Sequence, residues 1–316
     1  MKKHKVLALI TAATMTTGIA CAQNFPTRPI RIVTSGAGGG TDFAARLIAF
    51  GLTGSLGQQV IVDNRASGTI PGDIVSHAAP DGHTLLLATG ILWLLPFLQE
   101  KVPYDPVKDF APVTLAISSP NILVVHPAVA TSVQDLITRA KASPGKLNYA
   151  MTAQGGGAHL AAELFKAMAG LNIVPIPYKS GGIAVNDIIS GQIQMYFASA
   201  GSVVQHIKSG RMRGLGVTSA KPSAVLPDMP AIAATLPGYE LESLYNIFAP
   251  AKTPAAIVNR LQQEIARVVV KPDIKDKLLA SSAEPIGSTP QKLAETMKSE
   301  MQRMGKVIKD VGIRAE

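Results

Sequence analysis

The residues best placed to do chemistry in this chain are backbone amides. Residues 34 to 42 read TSGAGGGTD and residues 152 to 159 read TAQGGGAH, two glycine-dense loops that each run into an amphipathic stretch. A glycine-rich turn between a strand and a helix leaves several N–H groups pointing outward, and these add to the partial positive charge of the helix N-terminus. Such a loop suits an anion. The segments GGGTDFAARL (38 to 47) and GGGAHLAAEL (155 to 164) match at six of ten positions with an offset of 117 residues, which suggests that two similar units present the same feature.

The spacing discriminates between anions. A phosphate-gripping loop needs a lysine and a hydroxyl residue directly after the glycines, whereas Gly40 is followed by Thr41 and Asp42, and Asp42 would repel a polyphosphate. The run Gly36 to Thr41 gives G-x-G-x-x with threonine at the third glycine, and Asp63 ends the next strand, so a dinucleotide-dependent oxidoreductase stays open as an alternative. A carboxylate held from two sides fits both loops and needs no cofactor and no metal. Thr41 reads as a helix cap at the mouth of such a site, and Asp42 as a cap or an acceptor for a hydroxyl or water. His159 begins the helix after the second loop, either as a first-turn histidine or as a ligand contact. The sequence has no G-x-S-x-G and no H-E-x-x-H, and His77, His83, His126, His159 and His206 lie on separate segments without metal-ligand spacing. That pattern points away from an enzyme.

The elements that must position these loops alternate. Short β-branched runs at 30 to 34, 59 to 64, 84 to 88, 121 to 126, 172 to 177, 192 to 198 and 213 to 218 predict strands. Helix-period segments at 41 to 56, 132 to 142, 158 to 169, 182 to 190, 254 to 270, 272 to 280 and 290 to 311 predict helices. The class is α/β. Proline-rich stretches at 101 to 112, 221 to 230 and 248 to 254 read as turns. The last helix carries Glu295, Ser299, Glu300 and Arg303 at helical spacing, predicting a solvated face.

The start, MKKHK followed by VLALITAATMTTGIA, reads as a secretory leader, with Ala20-Cys21-Ala22 as its cleavage signal and Gln23 as the first exported residue. The alternative keeps Cys21 as a lipid-bearing first residue. Cleavage before Gln23 leaves 294 residues and no cysteine, and the loss of Lys2, Lys3 and Lys5 takes the net charge from +9 to +6. Disulfides and thiol chemistry are then excluded, and a modest positive field remains. Scattered basic residues with 5% aromatics predict no nucleic-acid partner.

A resemblance covers nearly the whole exported chain. PTRPIRIVTSGAGGGTDFAARLIA, LGQQVIVDNRASG, APDGHTLLLATG, VPYDPVKDFAPVTLAISSPNILVVHP, SPGKLNYAMTAQGGGAHLAAELFKAMAGLNIVPIPYKSGG, LPGYE and FAPAKTP occur in fixed order and resemble the substrate-binding proteins of tripartite tricarboxylate transporters, the Bug receptors. The resemblance implies a periplasmic binding protein fold of the type II kind, with two α/β domains around a hinged cleft: residues 23–124 plus 246–316, and residues 125–245. It implies a monomer that captures a carboxylate and delivers it to integral-membrane transporter subunits; a sensor for a two-component system is an alternative reading. It further implies that the carboxylate is held by Gly36, Ala37, Gly38, Gly39, Gly40, Thr41 and Asp42. A second loop, with Gln154, Gly155, Gly156, Gly157 and His159, closes from the other domain, and Thr89 and Ser199 add contacts. After LLLATG the family usually has small polar residues, where this chain has Ile91-Leu92-Trp93-Leu94. Those residues either begin an ordinary buried helix or, with Trp93 turned to the cleft, imply a carboxylate with an apolar or aromatic body.

Overall fold

The computed structural model describes residues 25–37, 40–65, 68–152, 156–223 and 226–314. The leader with Cys21, and Gly38, Gly39, Gln154 and Gly155 of the two loops, lie outside the described residues.

The chain opens with three strand-helix units: β1 (Ile30–Thr34) and α1 (Gly40–Leu56), β2 (Val60–Asn64) and α2 (Ile70–Ser76), β3 (Thr84–Ala88) and α3 (Ile91–Leu98). These strands pair in parallel, β1 lying between β2 and β3. Ile30, Ile32, Val33, Leu85, Leu86 and Leu87 are buried, the near-continuous apolar character of strands covered on both faces. A long strand, β4 (Phe110–Val125), leads to α4 (Val133–Ala142), β5 (Asn148–Met151), α5 (Gly157–Ala169), β6 (Val174–Pro177), α6 (Gly181–Ile189), β7 (Met195–Ser199), α7 (Ala200–Lys208) and β8 (Arg213–Val217). The return runs through β9 (Glu242–Pro250), α8 (Ala255–Val269), α9 (Pro272–Ala280), β10 (Glu284–Pro285) and α10 (Pro290–Val311). The strand order is β2-β1-β3-β9-β4-β7-β5-β6, with β10 and β8 also paired to β4.

β4 is the axis of the molecule. Its first part, Phe110 to Pro120, pairs antiparallel with β9, and its second part, Asn121 to Val125, pairs with β7 and β8. The change of partner divides the sheet into a first region (β1, β2, β3, β9 and β10) and a second (β5 to β8). It falls at Pro120/Asn121 and at Glu242, a few residues before the divides expected at 124 and 246. The expected strand at 121 to 126 is only the second part of β4. Residues 110 to 112 fall in a stretch that reads as a turn; Pro112 sits where the β4–β9 register shifts and Pro120 is the last residue paired with β9. Proline is tolerated at such irregularities because no ladder N–H is required there.

Three apolar clusters hold the layers together. α1 and α8 cover one face of the first region through Ile48, Leu52, Leu261 and Ile265 against Ile30, Ile32 and Leu85. α6 and α7 cover the corresponding part of the second region through Val185, Ile188 and Val203 against Ile122, Val124 and Tyr196. The third cluster is continuous across both regions, from Leu86, Trp93, Phe248 and Met304 to Leu123, Tyr149, Phe165 and Phe197. No helix of the described residues is long and apolar enough to cross a membrane.

Candidate functional site

The first glycine loop is pinned at both ends. Thr34, fully buried, donates its hydroxyl to the Leu87 carbonyl at 3.0 Å. Ser35 Oγ and Thr41 Oγ1 are hydrogen-bonded at 2.8 Å, tying the strand exit to the first turn of α1. Asn64 Nδ2 donates to the Ser35 carbonyl and to Asp42 Oδ1, both at 2.9 Å, and Arg46 pairs with the same Asp42 oxygen at 2.9 Å. Asp42 is buried and its carboxylate is engaged by Asn64 and Arg46, so its role is to fix the loop. Gly36, Ala37 and Gly40 are exposed.

The second loop is backed by a buried polar group. His159, in the first turn of α5, stacks on Tyr149 with 6.4 Å between ring centroids and an 18° interplanar angle. Glu163 accepts hydrogen bonds from the Tyr149 hydroxyl at 2.7 Å and from Lys166 Nζ at 2.5 Å, with His159 Nε2 4.0 Å away. Burial pushes the His159 pKa below its ordinary value, and Lys166 adds to that effect against the opposing pull of Glu163. A neutral imidazole follows at neutral pH. The second loop therefore offers no positive side-chain charge from His159.

A cavity of about 230 Å³ lies where the two sheet regions meet. Its wall joins Gly40 at the start of α1 to Ser199 and Ser202 at the start of α7, with Ser119 of β4 and Tyr245 of β9 between them. Among the described residues no charged side chain lines it. Of the expected contacts, Gly40 and Ser199 share this wall. Thr89, Gly156, Gly157 and His159 do not line it, although a β-carbon built at Gly157 would lie 3.9 Å from Ser243 Oγ on β9. Ser119, Ser202 and Tyr245 were not foreseen, because Ser119 and Tyr245 lie on parts of β4 and β9 outside the expected strands and Ser202 lies on α7, outside the expected helices. The alternation in LYNIF (244 to 248), with Leu244 and Phe248 in one core and Tyr245 on the opposite face, is the signal that could have found Tyr245.

Gly40 has no space for a side chain. A methyl group built there would overlap the Tyr245 hydroxyl, which is carried on a rigid ring. Gly40→Ala is expected to lower stability by about 1–3 kcal/mol through overpacking, with part of the loss recovered in a Tyr245→Phe background. Urea unfolding of both variants checks this.

Of the two readings of Trp93, the buried helix start is the one seen. The residue is fully buried in the core on the other side of the sheet. Its ring meets Phe248 edge-on at 6.2 Å, and its Nε1–H donates to Glu300 Oε2 at 3.1 Å. Ile91 to Leu94 are the first turn of α3, and three of the four are buried. Glu300 is the counterpart correction, since its side chain is 14% exposed where a solvated face was expected. Burial raises its pKa to about 7, opposed by Arg303 and the indole donor and aided by Glu240 and Glu242. Among the described residues no group of three or more His, Cys, Asp or Glu could hold a metal ion.

Residues 44–313 match the model of the family described as the tripartite tricarboxylate transporter family receptor. The UPF0065 protein in the tcbD-tcbE intergenic region of Pseudomonas sp. strain P51 is 39% identical over 99% of this chain and 96% of its own length. The solved structure of R. palustris Rpa4515 with adipate is 35% identical, with a TM-score of 0.79 over 92% of this chain and 99% of that one. MatC (Rpa3494) from Rhodopseudomonas palustris with bound malate is 26% identical, with a TM-score of 0.74 over 90% and 100% of the two chains. The α/β architecture is thus that of periplasmic binding proteins. The family is one of binding proteins and not of enzymes, which removes the dinucleotide-dependent alternative. With its fold, its glycine loops and its full-length match in agreement, the chain belongs to the family of periplasmic solute-binding receptors of tripartite tricarboxylate transporters.

Proposed function

We propose that this receptor captures a small aliphatic carboxylate between its two sheet regions and delivers it to the membrane subunits of a tripartite tricarboxylate-type transporter. The observation that carries the reading is the cavity between the starts of α1 and α7, one from each region, whose described wall carries no charge and mixes the hydroxyls of Ser119, Ser199, Ser202 and Tyr245 with the apolar Phe43, Ile117 and Leu278. Helix N-termini and neutral donors favour an anion without needing a counter-charge. The expected ligand set is the first loop (Gly36 to Thr41, with Asp42 behind it), the second loop (Gln154 to Gly157, with His159) and Ser199. Adipate and malate in two relatives support a carboxylate. The cavity, at about 230 Å³, is smaller than the roughly 300–1,000 Å³ usual for drug-sized ligands, which favours a compact acid. With Trp93 in the core, an aromatic body has lost its support.

β4 and β9 cross between the regions and form the hinge about which the cleft closes. Export through a leader cleaved before Gln23, a monomeric state and the domain division belong to the same reading.

Calorimetric titration with succinate, malate, adipate, citrate and benzoate tests it. At least one aliphatic dicarboxylate is expected to bind with a Kd of about 1 μM or tighter, equivalent to about −8 kcal/mol, and citrate and benzoate at least about tenfold more weakly. Absence of binding across the panel, or citrate as the tightest ligand, would sink the reading.

A further inference from the structure

Tyr245 carries an unused polar group into the cavity. It stands on β9 opposite Ile117 of β4, in the stretch that joins the two sheet regions. Its neighbours Leu244 and Asn246 are buried, and its ring packs against the core beneath α1. The hydroxyl reaches the first residue of α1, as the overlap with a side chain at Gly40 requires. It makes no hydrogen bond among the described residues, and burial is the cause of its raised pKa. The phenol therefore stays protonated and remains a donor at neutral pH. A hydroxyl that lines the cavity without a partner among the described residues, beside the first turn of a 17-residue helix, is an arrangement that a ligand oxygen would complete.

We propose that Tyr245 is a ligand-contacting residue of the cleft, its hydroxyl donating to an oxygen of the bound acid and its ring forming the floor that limits the acid's size. This rests on the carboxylate reading above and names a residue and a selection rule for it. A hydrogen-bonding floor discriminates against solutes that lack an acceptor at that depth, because the donor is then left unpaired. The serines beside it are different in kind. Ser119 donates to the Ser282 carbonyl at 3.2 Å, and Ser199 and Ser202 are hydrogen-bonded to one another at 3.1 Å.

Tyr245→Phe keeps the ring and removes only the oxygen. Calorimetry of wild type and variant with succinate, malate and adipate should show a loss of affinity of at least about tenfold, equal to 1.4 kcal/mol, for each acid that the wild type binds. The thermal midpoint of the ligand-free variant should equal or exceed that of the wild type, since no hydrogen bond is removed. A purely structural tyrosine would move the midpoint and leave the Kd unchanged. Unchanged Kd values for acids that the wild type binds would overturn the role of Tyr245 and leave the carboxylate reading standing. If the wild type binds none of the three acids, nor citrate or benzoate, both fall.

Discussion

Glu300→Gln is expected to stabilise the protein by about 3 kcal/mol at pH 8 and to leave its stability at pH 4.5 unchanged. The carboxyl, carried on α10 and turned towards Trp93, is only 14% exposed, and its pKa is raised from 4.5 to about 7, chiefly by desolvation. A group raised in the folded state binds its proton more tightly there than in the unfolded chain. Its contribution is fully present below 4.5 and is lost as pH rises through about 7. At pH 8 the wild type carries a buried carboxylate whose nearest cation, Arg303, is 3.9 Å away. Glutamine cannot ionise, and its amide oxygen can still accept from the Trp93 indole. Urea unfolding at the two pH values decides the matter: a variant no more stable than wild type at pH 8 would mean that the carboxylate is adequately solvated. Trp93 is the only tryptophan, so wild-type emission should titrate near pH 7 and the variant's should not.

The second large effect is expected at Glu163. Glu163→Ala should cost about 3–5 kcal/mol, because removing one partner of a buried pair leaves the others uncompensated. Its carboxylate is 6% exposed and serves both the Tyr149 hydroxyl and Lys166, whose side chain is 17% exposed. Replacing the charge and its counter-charge together, as Glu163→Gln with Lys166→Met, should recover most of the loss. The single variant should also bind acids less tightly, since the network holds His159 in the first turn of α5. Chemical unfolding joined to calorimetry separates the two effects. A loss below about 1 kcal/mol would show that Lys166 escapes to solvent and that the pair is worth no more than a surface one.

The local signals were legible and the non-local ones were not. α1 and α5 fall within one residue of their expected starts, because a glycine run before an amphipathic segment states where a helix can begin. β9 and the first part of β4 carry no local strand signal, and only their ends, 110 to 112 and 248 to 250, fall in stretches that read as turns. Their strand character comes from pairing with each other across more than a hundred residues, which no window of sequence displays. Glu300 shows the same limit on a helix. Period and charge define a polar face, but the chain alone does not say that Trp93 will fold over one member of it. Tyr245 escaped notice together with β9, and it is the residue that brings the cavity floor to the first loop.

The strands shared by both sheet regions have a consequence for how this protein can be taken apart. β4 belongs to both hydrogen-bonding systems, and one apolar cluster continues across the divide. Excising residues 121–241 as a separate module would cut β4 in the middle and strip Leu123, Tyr149 and Phe197 of the company of Trp93 and Phe248. The two halves share one strand and one apolar cluster, so neither has a complete core without the other. One half cannot be shuffled without rebuilding the spine of the other.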